Sequence, residues 1–473
     1  MICIRGRSDG SKRTTARRGV WIPVKSYREI LKLVWPLALG MINNAVMQFV
    51  DRAYLAQDSM RALEAVLPAG MLMWMFAGFF QSVVGYSSVF VGRYHGAGDE
   101  RKCRATYRVA MVLSVAFGIL SLLLVPVGGA ILRATVASPD LLKDEASYYS
   151  ILMYGSFFVY GQMAAASYFT GRGKTRIVFW ANLIGNALNI ALDPFLIFGW
   201  CGVPRMGIAG AAYATVFAML VQMAILVAAA RQEKAGQGQG HFRASSEALG
   251  REMTEIVGRI LRFGVPAGLY TILNMLSFTI FVFVTGGVGD LELAVSNACF
   301  TVNYLLVAPI EGFSLGASTL VSQALGRGDP DAAAGEARRT IVLGVGFIAV
   351  CSAVVLAFAH PILDIFASRA GASAGEFHSL GFTLFVLMAA WQVFDAADVI
   401  LSGALKGGGD TKFVLWWMLV VAFVIWLPVV FIVRRFHNTM PALWATMILY
   451  VVVICVGSLI RWRRGRWKMV KLT

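Results

Sequence analysis

The chain has 473 residues, of which 58% are hydrophobic and 14% are charged, and its net charge is +16. So small a charged fraction cannot supply the polar surface of a soluble globule of this size, which predicts a protein embedded in lipid. The positive charge alone would also suit a nucleic-acid-binding protein. Its distribution along the chain decides between these two classes.

Twelve apolar segments of helix length follow one another, with short polar connections between them. A bilayer core needs about 20 residues of helix, and each segment is long enough. Residues 1–29 precede them as a basic, polar tail without an apolar run of signal-peptide type, so the first helix is predicted to be retained. The predicted spans are 30–56, 62–92, 105–133, 146–170, 176–199, 207–230, 254–286, 293–324, 338–366, 377–405, 412–434 and 440–460.

Lys and Arg are concentrated in one set of connections. With the amino terminus inside, the two tails and the connections on their side hold most of the 42 Lys and Arg residues. This positive-inside bias predicts a multi-pass protein of the plasma membrane with both termini in the cytoplasm, and it argues against nucleic-acid binding. Arg434 and Arg435, in a connection that should face outward, are the exception.

One half of the chain resembles the other. Gly171–Trp180 reads GRGKTRIVFW and Gly407–Trp416 reads GGGDTKFVLW, while GAGD from Gly96 matches GRGD from Gly326. Halves of six spans each begin and end on the same side, so they are related by an axis along the membrane normal. The glycines predict tight cytoplasmic turns that need positive φ, and the aspartates of the GxGD pair are candidate caps for the helices that follow.

A segment rich in Gly, Gln, Ser and charged residues separates the halves and reads as a cytoplasmic linker. The predicted domains are a basic cytoplasmic tail at 1–29, a six-helix lobe at 30–230, the linker at 231–252, a second six-helix lobe at 253–460 and a second basic tail at 461–473.

Motifs of nucleotide-driven or enzymatic chemistry are absent. Gly173-Lys174-Thr175 ends like a phosphate-binding loop, but the first glycine of that motif would fall at Tyr168. The chain is therefore predicted not to be an enzyme and to need no cofactor, with an ion gradient as its driving force. Its six cysteines are scattered without a CxxC pair, which indicates neither a metal site nor disulfides.

The few charged residues inside the first-half spans indicate a polar pocket, because each costs about 2.5–3.5 kcal/mol at a helix centre and normally faces the bundle interior. Asp51 and Asp193 lie near the outer ends of spans one and five, and Asn189 precedes Asp193 by one turn on the same face. The equivalent positions of the second half are apolar, which favours a function. The structural alternative is that Asp51 pairs with Arg52 and that Asp193 caps or bends its helix.

Three acids lie at membrane depth in the second half. Asp395 and Asp398 are three residues apart on one face of span ten, and Glu311 lies midway along span eight. They favour a water-lined path. A structural pairing with Gln392 or with water in a cleft is the alternative.

Three segments carry a family resemblance: Phe49-Val50-Asp51 at the end of a proline-bearing first span, GNALNIALDP from Gly185, and GALKGGGDT from Gly403. From about residue 30 to 460 the chain resembles the multidrug and toxic compound extrusion (MATE) family of the multidrug/oligosaccharidyl-lipid/polysaccharide flippase superfamily. The resemblance implies an all-α membrane protein with twelve transmembrane helices in two pseudo-twofold-related six-helix bundles around a V-shaped central cleft. It also implies cation-coupled export of organic compounds by alternating access.

Carried over by position, the resemblance implies a first-lobe site for H+ or Na+ made of Asp51, Asn189, Asp193 and Thr215. Pro36 matches a proline that lets the first span bend in some members. Asp395 matches an acid implicated in cation binding in one branch, which also has a glutamate where this chain has Asn274. That departure moves the expected ion site to the first lobe, and no metal is expected beyond Na+ at Asp51 and Asp193.

The alternative function is a lipid-linked oligosaccharide or lipid flippase of the same superfamily, which would have extra spans or a cleft lined with many Arg and Lys. A polytopic transferase would need a reactive constellation that is not visible, and duplicated halves suit rocking better than a static channel. The expected partners are small organic substrates, cationic or amphipathic, and the lipid bilayer. The protein is expected to act as a monomer.

Overall fold

The structure is a computed structural model that describes residues 25–136, 138–236, 246–370 and 374–470. These residues form helices with short connections, and no strand occurs among them. The first half contains α1 (Tyr27–Asp58), α2 (Met60–Gly85), α3 (Ser87–Gly96), α4 (Glu100–Thr135), α5 (Pro139–Gly171), α6 (Thr175–Phe198) and α7 (Ile208–Gly236). The second half contains α8 (Ser246–Gly286), α9 (Asp290–Gly326), α10 (Pro330–Ala357), α11 (Ala359–Ala370), α12 (Ala374–Gly408), α13 (Thr411–Leu419), α14 (Leu427–Phe436) and α15 (Met440–Arg463).

The prediction of twelve spans is confirmed. Eleven helical spans of the described chain are long and apolar enough to cross a membrane, with α2 and α3 together forming one of them. The twelfth is α5, whose 33 residues exceed the length that a bilayer core requires. Its Tyr, Ser and Gln side chains lower its hydropathy, and two of them, Gln162 and Ser167, line the cavity described below.

Two spans that the sequence predicts as continuous are interrupted. At the junction of α2 and α3, the Ser88 hydroxyl donates to the carbonyl of Gly85 at 2.8 Å, a local bond that competes with the helical ladder. The break between α10 and α11 is followed by Pro361, which cannot donate a backbone N–H. A proline also explains the π-helix Val420–Trp426 between α13 and α14, because Pro428 lies just beyond it.

The repeated glycine turns lie at one end of the bundle, which we call the turn end. Each of four connections there holds a glycine with positive φ, as predicted: Gly98, Gly173, Gly328 and Gly409, with φ of 76°, 75°, 77° and 96°. The aspartates cap the next helices, because the Asp99 carboxylate accepts from the Lys102 amide at 2.9 Å and the Asp329 carboxylate accepts from the Ala332 amide at 2.8 Å. Both parts of that prediction are confirmed.

The first glycine of each GxGD segment has a different role from the one predicted. A Cβ on Gly96 would lie 2.1 Å from the carbonyl oxygen of Gln323, and a Cβ on Gly326 would lie 2.1 Å from that of Arg93. These two glycines end α3 and α9 and do not have positive φ. They are needed because the two helices cross closely, so assigning them to the turn conformation was wrong.

Contacts between the lobes continue from the turn end along α1. This helix packs against α6 in its own lobe and against α9 in the other. A Cβ on Gly312 of α9 would lie 2.5 Å from the backbone of Ala38, which shows how closely α9 approaches α1. Nearer the turn end, the Gln323 amide donates to the carbonyl of Gly171 at 2.8 Å and the Tyr86 hydroxyl donates to the carbonyl of Lys406 at 2.8 Å.

Parts of the predicted linker and tails lie within the described residues. Residues 231–236 belong to α7 and 246–252 belong to α8, while 237–245 and 1–24 lie outside the described residues. In the predicted tail at 461–473, Trp467 is buried and stacks on Trp462 with ring centroids 4.0 Å apart. The segment then reaches the first lobe, where Arg93 Nη2 donates to the Val470 carbonyl at 3.0 Å.

In each lobe, an ion pair at the turn end joins the residue before one helix to a residue near the end of the next span. In the first lobe, Lys174 before α6 pairs with Glu233 near the end of α7. In the second lobe, Asp410 before α13 pairs with Arg461 near the end of α15, in two bonds of 2.6 and 3.1 Å. Lys174 and Asp410 occupy equivalent places in the repeat, so the pair is kept and its polarity is reversed.

Candidate functional site

The polar side chains of α6 form a stripe along one face. Asn182, Asn186, Asn189 and Asp193 are spaced by four, three and four residues, which places them on the same side of a helix. Asn189 and Asp193 have no exposed surface. Because buried polar groups require partners, this stripe must be matched by polar groups on the helices that it faces.

The structure brings together the four residues predicted for the first-lobe site. The carboxyl groups of Asp51 on α1 and Asp193 on α6 are within hydrogen-bonding reach of each other. With its amide turned to satisfy both neighbours, Asn189 donates to Asp51 Oδ1 at 2.9 Å and accepts from the backbone N–H of Thr215 at 3.2 Å. The Thr215 hydroxyl instead donates to the carbonyl of Ala211 at 2.9 Å.

Asp193 is the residue of this site whose polar atoms lack hydrogen-bond partners within the described chain. Both of its carboxylate oxygens are buried and neither accepts a hydrogen bond from a described residue. Two facing carboxylates in a low-dielectric interior cannot both be ionised cheaply. A proton shared with Asp51, or a small cation held between the two groups, would satisfy these oxygens.

A cluster of apolar residues lies beside the carboxylate pair, on the side away from the turn end. The buried residues of this cluster include Leu55, Ala65, Ile197 and Ala211, with Tyr148 of α5 packed against them. Tyr148 also lies within electrostatic range of both carboxylates. Sequence reasoning missed it, because a tyrosine at a helix end carries no signal of depth or direction.

A cavity of about 560 Å³ lies between the lobes and reaches Thr215 of the site. Its volume falls within the range of about 300–1,000 Å³ typical of pockets for drug-sized ligands. Pro36 lines it on α1, and apolar and aromatic side chains such as Trp74, Phe179 and Met219 supply much of its wall. The described residues that line it include two charged groups, Glu311 and Lys406.

Amide side chains form the polar part of the first-lobe wall of the cavity. Asn186 donates to Asn44 at 2.7 Å and accepts from Gln222 at 3.0 Å. Gln162 donates to Asn182 at 3.1 Å. These bonds tie α1, α5, α6 and α7 together along the α6 stripe, and all five side chains also line the cavity.

The second-lobe candidates separate into different environments. Glu311 faces the cavity, whereas Asp395 and Asp398 lie on α12 away from its wall. Asp398 is almost fully buried, and one of its oxygens lies 3.5 Å from the hydroxyl of Ser402. Asn274 does not line the cavity either.

Gln392 does not pair with the second-lobe acids, so this part of the structural alternative is wrong. Its side chain accepts from Ser352 at 3.1 Å and donates to Asn303 at 2.7 Å. Among the described residues, no group of three or more His, Cys, Asp and Glu side chains could hold a metal ion.

Lys406 is a second residue that the sequence did not reveal as a functional candidate. It lies near the end of α12, two residues before the chain leaves the helix, where a lysine reads as a headgroup contact. In the structure it is half-buried and faces the cavity. Its ammonium lies over the ring of Tyr270, 3.9 Å from the centroid.

Comparison with known proteins covers both lobes. A model of the family described as MatE matches residues 36–195 and 266–432, one segment in each half. The chain is 25% identical over 424 residues to the probable multidrug resistance protein YoeA of Bacillus subtilis, covering 87% of each chain. It is 24% identical over 457 residues to the probable multidrug resistance protein NorM of Thermotoga maritima, covering 95% of each chain.

The fold is also similar to a solved structure described as the outward-facing conformation of a multidrug resistance MATE family transporter. The TM-score is 0.79, with 21% sequence identity, and the match covers 94% of this chain and 97% of the other. The similarity therefore extends over both six-helix lobes. The matched family segments include Asp51, Asn189 and Asp193 in the first half and Glu311 and Lys406 in the second.

Proposed function

Because the chain belongs to the MatE family, and is therefore a membrane transporter and not an enzyme, we propose that it exports organic compounds in exchange for H+ or Na+. The proposed substrates are cationic or amphipathic. The names of the relatives, which are described as multidrug resistance proteins, support small organic substrates. The mixed apolar and amide lining of the cavity suits amphipathic molecules.

The pair of facing carboxylates, one of them fully buried, is the observation that carries the proposal. Asp193 has no exposed surface and no hydrogen-bond donor among the described residues, and it faces Asp51. A bound proton or Na+ removes the cost of two ionised carboxylates in one pocket. The pair is therefore the proposed coupling site, with Asn189 holding Asp51 and the backbone of Thr215 holding Asn189.

Alternating access follows from the position of α1. This helix carries Asp51, lines the cavity at Pro36 and packs against both lobes. When the pair is neutralised, α1 rearranges near Pro36 and the affinity for the substrate falls; the lobes then separate at the turn end and the ion is released there. Each positive charge moving inward gains about 2.3 kcal/mol per 100 mV, which can drive export against a concentration gradient.

The orientation in the membrane is part of the proposal. The excess of Lys and Arg in the tails and on the side of the glycine turns supports a cytoplasmic turn end in a plasma-membrane protein. Closure of the lobes at Gly96 and Gly326 then corresponds to an outward-facing state. One chain holds both the carboxylate pair and the cavity, so a monomer suffices.

The test is transport by the reconstituted protein under an imposed proton or sodium gradient. Asp51→Asn and Asp193→Asn should each abolish gradient-driven export while leaving expression intact. The matched control is Asp144→Asn, which removes a carboxylate of the same lobe that pairs with Arg61 and should leave export unchanged. Normal export by either variant of the pair would contradict the proposal.

Flipping of a lipid-linked oligosaccharide is the competing function. A cleft for a pyrophosphate headgroup would need several Arg or Lys, whereas Lys406 is the single basic side chain among the described residues that line the cavity. The same experiment distinguishes the two functions. If no organic compound moves under either gradient, the flippase function is favoured.

A further inference from the structure

Two opposite charges face the cavity from the second lobe without being paired. Glu311 of α9 is exposed to the cavity, and neither an ion pair nor a hydrogen bond joins its carboxylate to a described residue. Lys406 of α12 also forms no ion pair within the described chain. The two groups interact electrostatically at a distance longer than a salt bridge.

The ammonium of Lys406 is held in place without being neutralised. It lies over the Tyr270 ring, and a cation–π contact of this kind favours the charged amine. The backbone of the same residue is fixed, because its carbonyl accepts from the Tyr86 hydroxyl across the lobe interface. Asp398 is the other acid close to this ammonium, but it lies behind the cavity wall, where the Ser402 hydroxyl approaches it.

Unpaired charges in a partly dehydrated cavity lose solvation that a ligand can restore. A purely cationic ligand would satisfy Glu311 but would be repelled by Lys406. A ligand with an ammonium and a nearby carboxylate could pair with both groups at once. The opposite wall offers Trp74, Phe179 and Met219 for an aromatic body.

We infer that Glu311 and Lys406 form a subsite for zwitterionic amphiphiles, with the ligand's ammonium at Glu311 and its carboxylate at Lys406. This inference rests on the proposed function in so far as the cavity is taken as the substrate site. It adds a substrate class, because it requires an acidic group that a simple organic cation lacks. It does not depend on the identity of the coupling ion or on Asp51 and Asp193.

A matched pair of fluorescent probes tests the inference by binding alone. Nε-dansyl-lysine is a zwitterion with an aromatic body, and dansylcadaverine is the same molecule without its carboxylate. Binding of each to the purified full-length protein in detergent is followed by dansyl fluorescence. The wild type should bind Nε-dansyl-lysine about tenfold more tightly, a ratio equal to about 1.4 kcal/mol.

Four variants test whether Glu311 and Lys406 cause the difference in affinity between the two probes. Lys406→Gln should remove the preference for Nε-dansyl-lysine and leave dansylcadaverine binding unchanged or stronger, which also shows that the variant is folded. Lys406→Arg should keep the preference, and Glu311→Gln should weaken both probes about tenfold. Lys412→Gln, which removes an exposed lysine just beyond the same turn, is the control and should change nothing.

The inference is overturned if the wild type binds neither probe, or if it binds both with a ratio that Lys406→Gln does not alter. Failure of the proposed function has a different signature. In that case the Lys406-dependent preference would be present in binding, while proton and sodium gradients would drive no transport of either probe.

Discussion

Gly96 and Gly326 are equivalent residues of the two halves, and each packs against the backbone of the other's helix. A methyl group at either position would lie 2.1 Å from a carbonyl oxygen across the interface. Overpacking of this kind costs about 1–3 kcal/mol when the structure cannot adjust. The two lobes can relieve it by separating at the turn end.

We therefore expect Gly96→Ala and Gly326→Ala to shift the protein toward a state that is open at the turn end. Every 1.4 kcal/mol changes the ratio of the two states about tenfold. Spin labels at Arg108→Cys and Arg338→Cys, two exposed and equivalent positions on α4 and α10, would report the distance by electron resonance. Gly346→Ala, where no atom lies within 4 Å of the added carbon, is the control; an unchanged distance distribution in both interface variants would contradict this prediction.

Replacing Asn189 should distinguish between the two possible coupling ions. Its amide donates to Asp51, and a hydrogen bond to a charged group contributes about 1.5–3 kcal/mol. If the ion is H+, Asn189→Ala destabilises the ionised carboxylate, and the pH of half-maximal export rises by about one to two units.

If the ion is Na+, the same variant loses the hydrogen bond that positions Asp51. The sodium concentration for half-maximal export then rises about tenfold or more. Export rate measured against pH and against sodium concentration separates these outcomes. Asn43→Ala, which removes a weaker 3.4 Å bond to the Asn182 carbonyl, should leave both profiles in place. Wild-type profiles in Asn189→Ala would show that this amide does not support the site.

The buried Trp467 should make a large contribution to stability at the turn end. It is 1% exposed, stacks on Trp462 and packs against Gly408. Truncating a buried aromatic residue costs about 3–5 kcal/mol, so Trp467→Ala should lower the midpoint of thermal unfolding in detergent. Trp180→Ala, at a residue that is 58% exposed, should have a much smaller effect; equal midpoints for the two variants would rule out a structural role for the tail.

The ion pair between Asp410 and Arg461 can be tested by reversal. Asp410→Arg places two cations together in a largely buried site and should destabilise the second lobe, because breaking a buried pair costs up to about 3–5 kcal/mol. Adding Arg461→Asp should recover part of the loss. A double-mutant cycle on thermal stability measures the coupling, and an additive result would mean that the pair contributes nothing.

The sequence predicted the helical spans because lipid requires long apolar helices, and it identified Asp51, Asn189 and Asp193 because polar groups are costly at membrane depth. It could not show that Thr215 contributes its backbone N–H to Asn189. That contact depends on how α6 and α7 are rotated against each other, which residue spacing within one helix does not determine.

Lys406 and Gly96 are two further residues whose roles depend on contacts between helices that the sequence does not give. A lysine at the end of a helix reads as a headgroup contact unless the tilt of the helix is known, and in the structure it faces the cavity. A glycine beside a turn reads as a turn residue unless the approach of a second helix is known. Both assignments depend on how the two lobes pack against each other. The repeat shows that the lobes are similar, but it does not show how one is placed against the other.

The reversed polarity of the turn-end ion pairs bears on how the chain folds. Two similar halves in one membrane could exchange equivalent helices while they assemble. An exchange of the partners would place Lys174 against Arg461 and Asp410 against Glu233, so that like charges would meet at both sites. Each helix is thereby directed to the partner of its own lobe.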